Sequence, residues 1–161
     1  MKRLAFLIMP LLLITLWTNC DSGRQSLGQS PAEADAPTAV RPFSQAVKAG
    51  GFIFVSGQIG LDPKTGKVAE GDIGIQTRQA LENIEAALKN AGAGLEHVVK
   101  TTVYLQNMDD YAAMNKAYSA VFGETRPARA TVAVRELVMG VLIEIEAIAL
   151  APEYPGEIIR M

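Results

Sequence analysis

The chain has 161 residues, 49% of them hydrophobic and 20% charged, which suits one domain with a buried core and excludes a disordered chain. A formal charge of −2 excludes nucleic-acid binding through bulk positive charge. One cysteine excludes a disulfide framework or Cys-rich zinc site, and one histidine excludes a multi-His metal centre.

At the N-terminus, Lys2 and Arg3 precede a nearly unbroken apolar run from Leu4 to Trp17. A short cationic stretch followed by an apolar one is the layout of an export signal. The run is shorter than the ~20 residues of a membrane-spanning helix, and Pro10 interrupts it. Residues 1–20 therefore read as a signal peptide, and the protein as exported, periplasmic or anchored in the cell envelope (cytoplasmic if the signal is not used). The segment also resembles a bacterial lipoprotein signal, in which the first mature residue is a lipidated Cys; that makes Cys20 the candidate lipidation site. Trp17 and Asn19 depart from that pattern, and simple secretion or an uncleaved anchor is the alternative. Residues 21–40 are rich in Ser, Gly, Pro, Ala and Asp, carry no apolar period, and read as a flexible linker.

The domain spans 41–152, followed by a tail over 153–161. Phe52 to Val55 is a β-type run after the turn signal Gly50-Gly51. Asp62 to Lys67 is a turn, and the pattern predicts a hairpin around it. Asp72 to Ala91 predicts a helix: Leu81, Ile84, Leu88 and Ala91 recur at spacings of three and four, with Asp72 as cap and Gly92 as stop. Val98 to Leu105 is β-branched and predicts a strand. A second helix starts from a cap at Asn107 or Asp109 and ends at Gly123, with Tyr111, Met114, Tyr118 and Phe122 as its apolar face. Ala130 to Val134 and Leu142 to Leu150 are the last two strands. Strands alternating with two helices predict an α+β or α/β two-layer domain, with one sheet face left for water or a partner.

There is no P-loop, no dinucleotide fingerprint and no Cys or His pair at metal spacing. His97 falls in a loop and reads as a surface residue. Pro127 confines Arg129 to a strand edge or end, where its planar fork suits a carboxylate; a surface salt bridge is the plainer reading. Glu144 and Glu146 share one face of an otherwise apolar strand, either paired to a cation or poised for acid–base work; periodicity does not separate them.

Five blocks in order carry a resemblance: Phe54 to Ile59 with Asp62 to Gly66, Gln76 to Asn83, Val99 to Leu105, Pro127 to Val132, and Ile143 to Ala149. Together they resemble the Rid (YjgF/UK-type) family, close to its RidA branch, over roughly residues 41–151. The resemblance implies a chorismate-mutase-like α+β fold: a mixed sheet with two helices packed on one face. It implies a homotrimer with clefts between subunits, and no metal or cofactor. It further implies hydrolysis of reactive 2-imino acids and their enamine tautomers to 2-keto acids and ammonia. The family's carboxylate-binding Arg falls on Arg129 and its water-positioning acid on Glu144. The family's Asn in the second helix falls on Asn115 and its cleft Ser on Ser56. Two positions depart from the RidA pattern: Phe43 stands where the family has Tyr, and Thr131 stands where RidA often has Cys.

Three functions compete on this footing. The first is an imine deaminase of hydrolase type. The second is a trimer that binds a small carboxylate at the cell envelope without turnover. The third is a ribonuclease or protein-interaction role; the acidic balance and lack of a basic, aromatic groove argue against nucleic acid as partner.

Overall fold

The computed structural model describes residues 42–154, 156 and 158, and the backbone of Gln25–Ser26. The signal segment, Cys20 and most of the linker and tail lie outside the described residues. Among the described residues no helix is long and apolar enough to cross a membrane.

The fold is α+β, as expected. Among the described residues six strands form one mixed sheet: β1 (Gln25–Ser26), β2 (Ala46–Ala49), β3 (Phe52–Ile59), β4 (Val98–Leu105), β5 (Ala128–Ala133) and β6 (Ile143–Leu150), in the order β1-β2-β3-β6-β4-β5. Of these strand pairs β4–β5 is parallel and the others are antiparallel. Two helices, α1 (Ile73–Asn90) and α2 (Tyr111–Phe122), cover one face. β1 belongs to the stretch read as a linker, where two residues pair with Val47 and Lys48.

β6 sits between β3 and β4 and organises the core. Ile143, Ile145, Ala147 and Ala149 are buried, while Glu144, Glu146, Ile148 and Leu150 point to the other face. Ile53, Val55, Val103 and Leu105 of the flanking strands join the buried set. From α1 come Ala80, Leu81, Ile84 and Leu88, and from α2 Met114, Tyr118 and Phe122. The predicted helical stripes are therefore the faces that the core receives, except that Tyr111, at the start of the second stripe, is exposed.

The hairpin differs from expectation. Asp62 to Lys67 does turn the chain, with the Asp62 carboxylate accepting from the Lys64 amide at 2.8 Å. It leads only to an isolated Leu61–Val68 bridge, because Val68 is followed by the Gly71-Asp72 entry to α1 and no strand has room to form. The hairpin lies one element earlier, between β2 and β3. Gly50 and Gly51 take φ of +59° and +82°, the double left-handed turn that two-residue hairpin loops need. β2 escaped the sequence reading because Ala46-Val47-Lys48-Ala49 is too short to show a period.

The other boundaries agree within a few residues. Asp72 caps α1 through the Ile75 amide at 3.0 Å, and Ala91 with Gly92 closes it. α2 begins later than its predicted cap, after a short 3-10 turn over Met108–Asp110 that Asn107 caps. β5 begins two residues earlier than predicted, at Ala128, directly after Pro127, and it lies at the end of the sheet order beside β4.

β3 meets α1 at Gly60, where an added Cβ would come within 2.9 Å of the Gln76 backbone. Gln76 is itself fixed, since its Oε1 accepts from the Leu142 amide at 2.9 Å. Gly60→Ala is therefore expected to destabilise the fold by about 1–3 kcal/mol, read as a lower urea midpoint. An unchanged midpoint would show that this contact is not tight.

Candidate active site

The parallel β4–β5 register sets Arg129 opposite Thr101, which is buried and faces the helices. Arg129 thus reaches from the edge strand towards α2. Its Nη2 donates to Asn115 Oδ1 at 2.8 Å and to the Tyr111 hydroxyl at 3.2 Å. Its Cζ lies 4.6 Å from the centre of the Tyr118 ring and 5.8 Å from that of Tyr111. The Tyr118 hydroxyl is 2.7 Å from Thr101 Oγ1. Thr131 lies two residues along the same face, and its buried Oγ1 has no hydrogen-bond partner among the described residues.

Glu144 occupies the opposite face. It pairs with Ile59 and Tyr104 across the sheet. Between Val55 and Gln58, β3 carries one extra residue, a bulge in which Ser56 and Gly57 stand against Glu146. The bulge brings Gly57 beneath the Glu144 carboxylate so closely that an added Cβ would collide with Oε1. Any side chain at position 57 would therefore move the Glu144 carboxylate. Glu144 makes no hydrogen bond within the chain among the described residues. Glu146 differs: its Oε1 accepts from the Tyr104 hydroxyl at 3.3 Å. The two acids that periodicity left equivalent are therefore distinct.

Ser56 donates through Oγ to the Ser44 carbonyl at 2.7 Å, and its amide to the Gln45 carbonyl at 2.9 Å. It pins the segment that carries Phe43, whose side chain is 59% exposed. Among the described contacts, nothing joins Phe43 or Ser56 to Arg129. The structure thus brings Arg129 and Asn115 together, with Thr131 beside them on the same sheet face, and leaves Glu144, Ser56 and Phe43 elsewhere. His97 ends a short 3-10 turn over Leu95–His97, its Nδ1 accepting from the Gly94 amide.

Sequence reasoning passed over Tyr111 and Tyr118, which it placed on the apolar face of the second helix. With Asn115 they fall at i, i+4 and i+7, one stripe of α2. The polar Asn115 within that stripe was the available signal.

The comparisons with known proteins bear on this geometry. The family described as endoribonuclease L-PSP matches residues 33–151. The chain belongs to that family, the YjgF/Rid family. It is 56% identical to a RutC family protein of Pyrococcus horikoshii over 71% of this chain and 91% of that protein. It is 45% identical to a 2-iminobutanoate/2-iminopropanoate deaminase of Salmonella typhimurium over 76% of this chain and 98% of that enzyme. The crystal structure of RidA from an Antarctic Psychrobacter superposes with a TM-score of 0.70 at 41% identity, covering 79% of this chain and 99% of that one.

Partial burial first, then the Glu146 charge and hydrogen bond, hold the Tyr104 hydroxyl above the ordinary tyrosine range. Glu146→Gln removes the charge and keeps the shape. It is expected to lower the Tyr104 midpoint towards the ordinary value without reaching it, since burial remains. Ring-carbon NMR against pH would read this, and an unchanged midpoint would count against the coupling.

Proposed function

We propose that this protein hydrolyses 2-imino acids, and their enamine tautomers, to 2-keto acids and ammonia at a site formed between subunits. The placement of Arg129 carries the reading. It is an edge-strand guanidinium with Nη2 committed to α2 and Nη1 and Nε without partners among the described residues, which leaves charged N–H donors for a carboxylate. The relatives named as deaminases at 45% identity support the chemistry.

Within one chain Arg129 and Glu144 lie on opposite faces of the sheet, so one small substrate does not reach both. A second chain resolves this: the Arg129 of one subunit meets the Glu144 of another. The open face favours such an assembly, since Phe54 is 44% and Val132 45% exposed there. The resemblance supplies the number three for it.

In this reading Arg129 holds the substrate carboxylate, and Thr131 with Asn115 lines the same end. Phe43 offers an apolar wall and Ser56 fixes its segment. Glu144 accepts a proton from water as its oxygen bonds to C2 of the imine. That proton passes to the imine nitrogen, which takes the C=N π pair and gives a carbinolamine; the new hydroxyl then yields its proton to the amine, the C–N bond breaks with its electron pair on nitrogen as the C2 carbonyl forms, and ammonia leaves the keto acid. No cofactor enters the balance. The cationic and apolar N-terminus supports export, with Cys20 as the lipid attachment point.

Ammonia release from 2-iminobutanoate and 2-iminopropanoate, measured against the spontaneous rate, tests the reading. Acceleration is expected, with kcat/KM reduced about ten-fold or more by Arg129→Ala. Glu144→Gln is expected to slow turnover about a hundred-fold or more. No acceleration by the folded oligomer would sink the enzyme and leave the carboxylate-binding trimer in its place.

Gly57→Ala probes Glu144 indirectly. The new methyl displaces a flexible carboxylate and not a backbone, so turnover is expected to fall while the urea midpoint stays near that of the parent. A lowered midpoint with full turnover would show that Gly57 serves the fold instead.

A further inference from the structure

The Arg129 guanidinium is held from below as well as from the side. The ring under it belongs to Tyr118, which is 5% exposed. Phe122, one helical turn on, packs 4.6 Å from that ring. The Tyr118 hydroxyl is locked to Thr101 Oγ1 at 2.7 Å, and Thr101 is the register partner of Arg129. A closed brace results: the partner strand fixes the hydroxyl, the hydroxyl fixes the ring, and the ring carries the guanidinium back to the neighbouring strand. Burial holds the Tyr118 hydroxyl above the ordinary tyrosine range, so it stays a neutral group able to share a proton with Thr101.

We propose that Tyr118, locked by Thr101, is a positioning residue that fixes the plane of the Arg129 guanidinium and so presents its unengaged Nη1 donors to the substrate carboxylate. The proposal rests on the reading of Arg129 as the carboxylate-binding residue. An unbraced Arg side chain loses rotamer freedom when it binds its ligand, whereas a stacked one has lost that freedom on folding. The aromatic face attracts the cation and leaves its N–H edge unused. Asn115 and Tyr111 then set the rotation within that plane, because both accept from Nη2 alone.

Calorimetric binding of 2-oxobutanoate, the keto acid of the proposed reaction, tests this in the full-length protein. Tyr118→Leu is expected to weaken binding about three- to thirty-fold. Tyr118→Phe and Thr101→Val keep the packing and remove the lock. Each is expected to weaken binding by a smaller factor, and the double variant no further than either single, since one bond is lost once. NMR of the Arg129 guanidinium without ligand gives a second readout: rotation about Nε–Cζ is expected to be slow in the parent and faster in Tyr118→Leu. Arg129→Ala separates the two readings. Parental affinity in Tyr118→Leu with affinity lost in Arg129→Ala would overturn the brace and leave the carboxylate site standing. Parental affinity in Arg129→Ala would overturn both. Should Tyr118→Leu fail to fold, additive losses or no loss in the Phe and Val pair would overturn the brace.

Discussion

The alternation of β6 is the constraint on which the rest of the molecule depends. Four small or branched apolar residues, Ile143, Ile145, Ala147 and Ala149, face the helices, and two carboxylates interleave with them. A slip of one residue against β3 or β4 would send Glu144 and Glu146 into the core and expose the apolar set. The cost of burying two carboxylates fixes the register. Both neighbours adapt to that register with an extra residue, one within Val55–Gln58 of β3 and one within Val98–Lys100 of β4. The first of these places Gly57 under Glu144. The position of Glu144 on the open face is thus a by-product of how the core is kept dry.

The second charged group owes its place to connectivity. β4 and β5 run parallel, so a crossover must join them, and that crossover is α2. The helix returns along the strand pair, which lays Tyr111, Asn115 and Tyr118 towards Arg129 at successive turns. Arg129 lies on the edge strand, where a guanidinium remains open to solvent, whereas the same residue on β6 would be enclosed. The fold therefore separates its two charged groups by the thickness of one sheet.

Much of this was legible in the sequence, for identifiable reasons. α1 showed itself because Leu81, Ile84 and Leu88 repeat at helical spacing over two turns between the cap Asp72 and the stop Gly92. β6 showed itself because Ile-Glu-Ile-Glu alternates without interruption. The hairpin did not, because Asp62 to Lys67 carries the stronger turn chemistry while Gly50-Gly51 follows a four-residue strand with no period of its own. Arg129 and the Glu144/Glu146 pair could be singled out as charges in apolar strands. Their separation onto two faces could not, since it follows from the β4–β5 and β4–β6 registers, which are long-range facts. The roles of Tyr111 and Tyr118 were hidden for a different reason. An aromatic on an apolar helical face reads as core, and Tyr118 is core; only the position of Arg129 above its ring makes it more.

The two acids of β6 also answer how a carboxylate can face a covered surface. Glu146 carries its own donor, the Tyr104 hydroxyl, and can be covered at modest cost. Glu144 has no such donor within the chain among the described residues, and Gly57 beneath it offers no side chain to supply one. If a second subunit covers this face, as proposed, Glu144 must be met by a group from that subunit, by substrate or by water. Removing it from solvent without a partner would be the costliest event in the assembly. A cleft that keeps a water against Glu144 avoids that cost, and a water held against a carboxylate beside a bound imine is the reactant that hydrolysis needs. The same geometry that makes Glu144 awkward to bury thus suits it to direct that water.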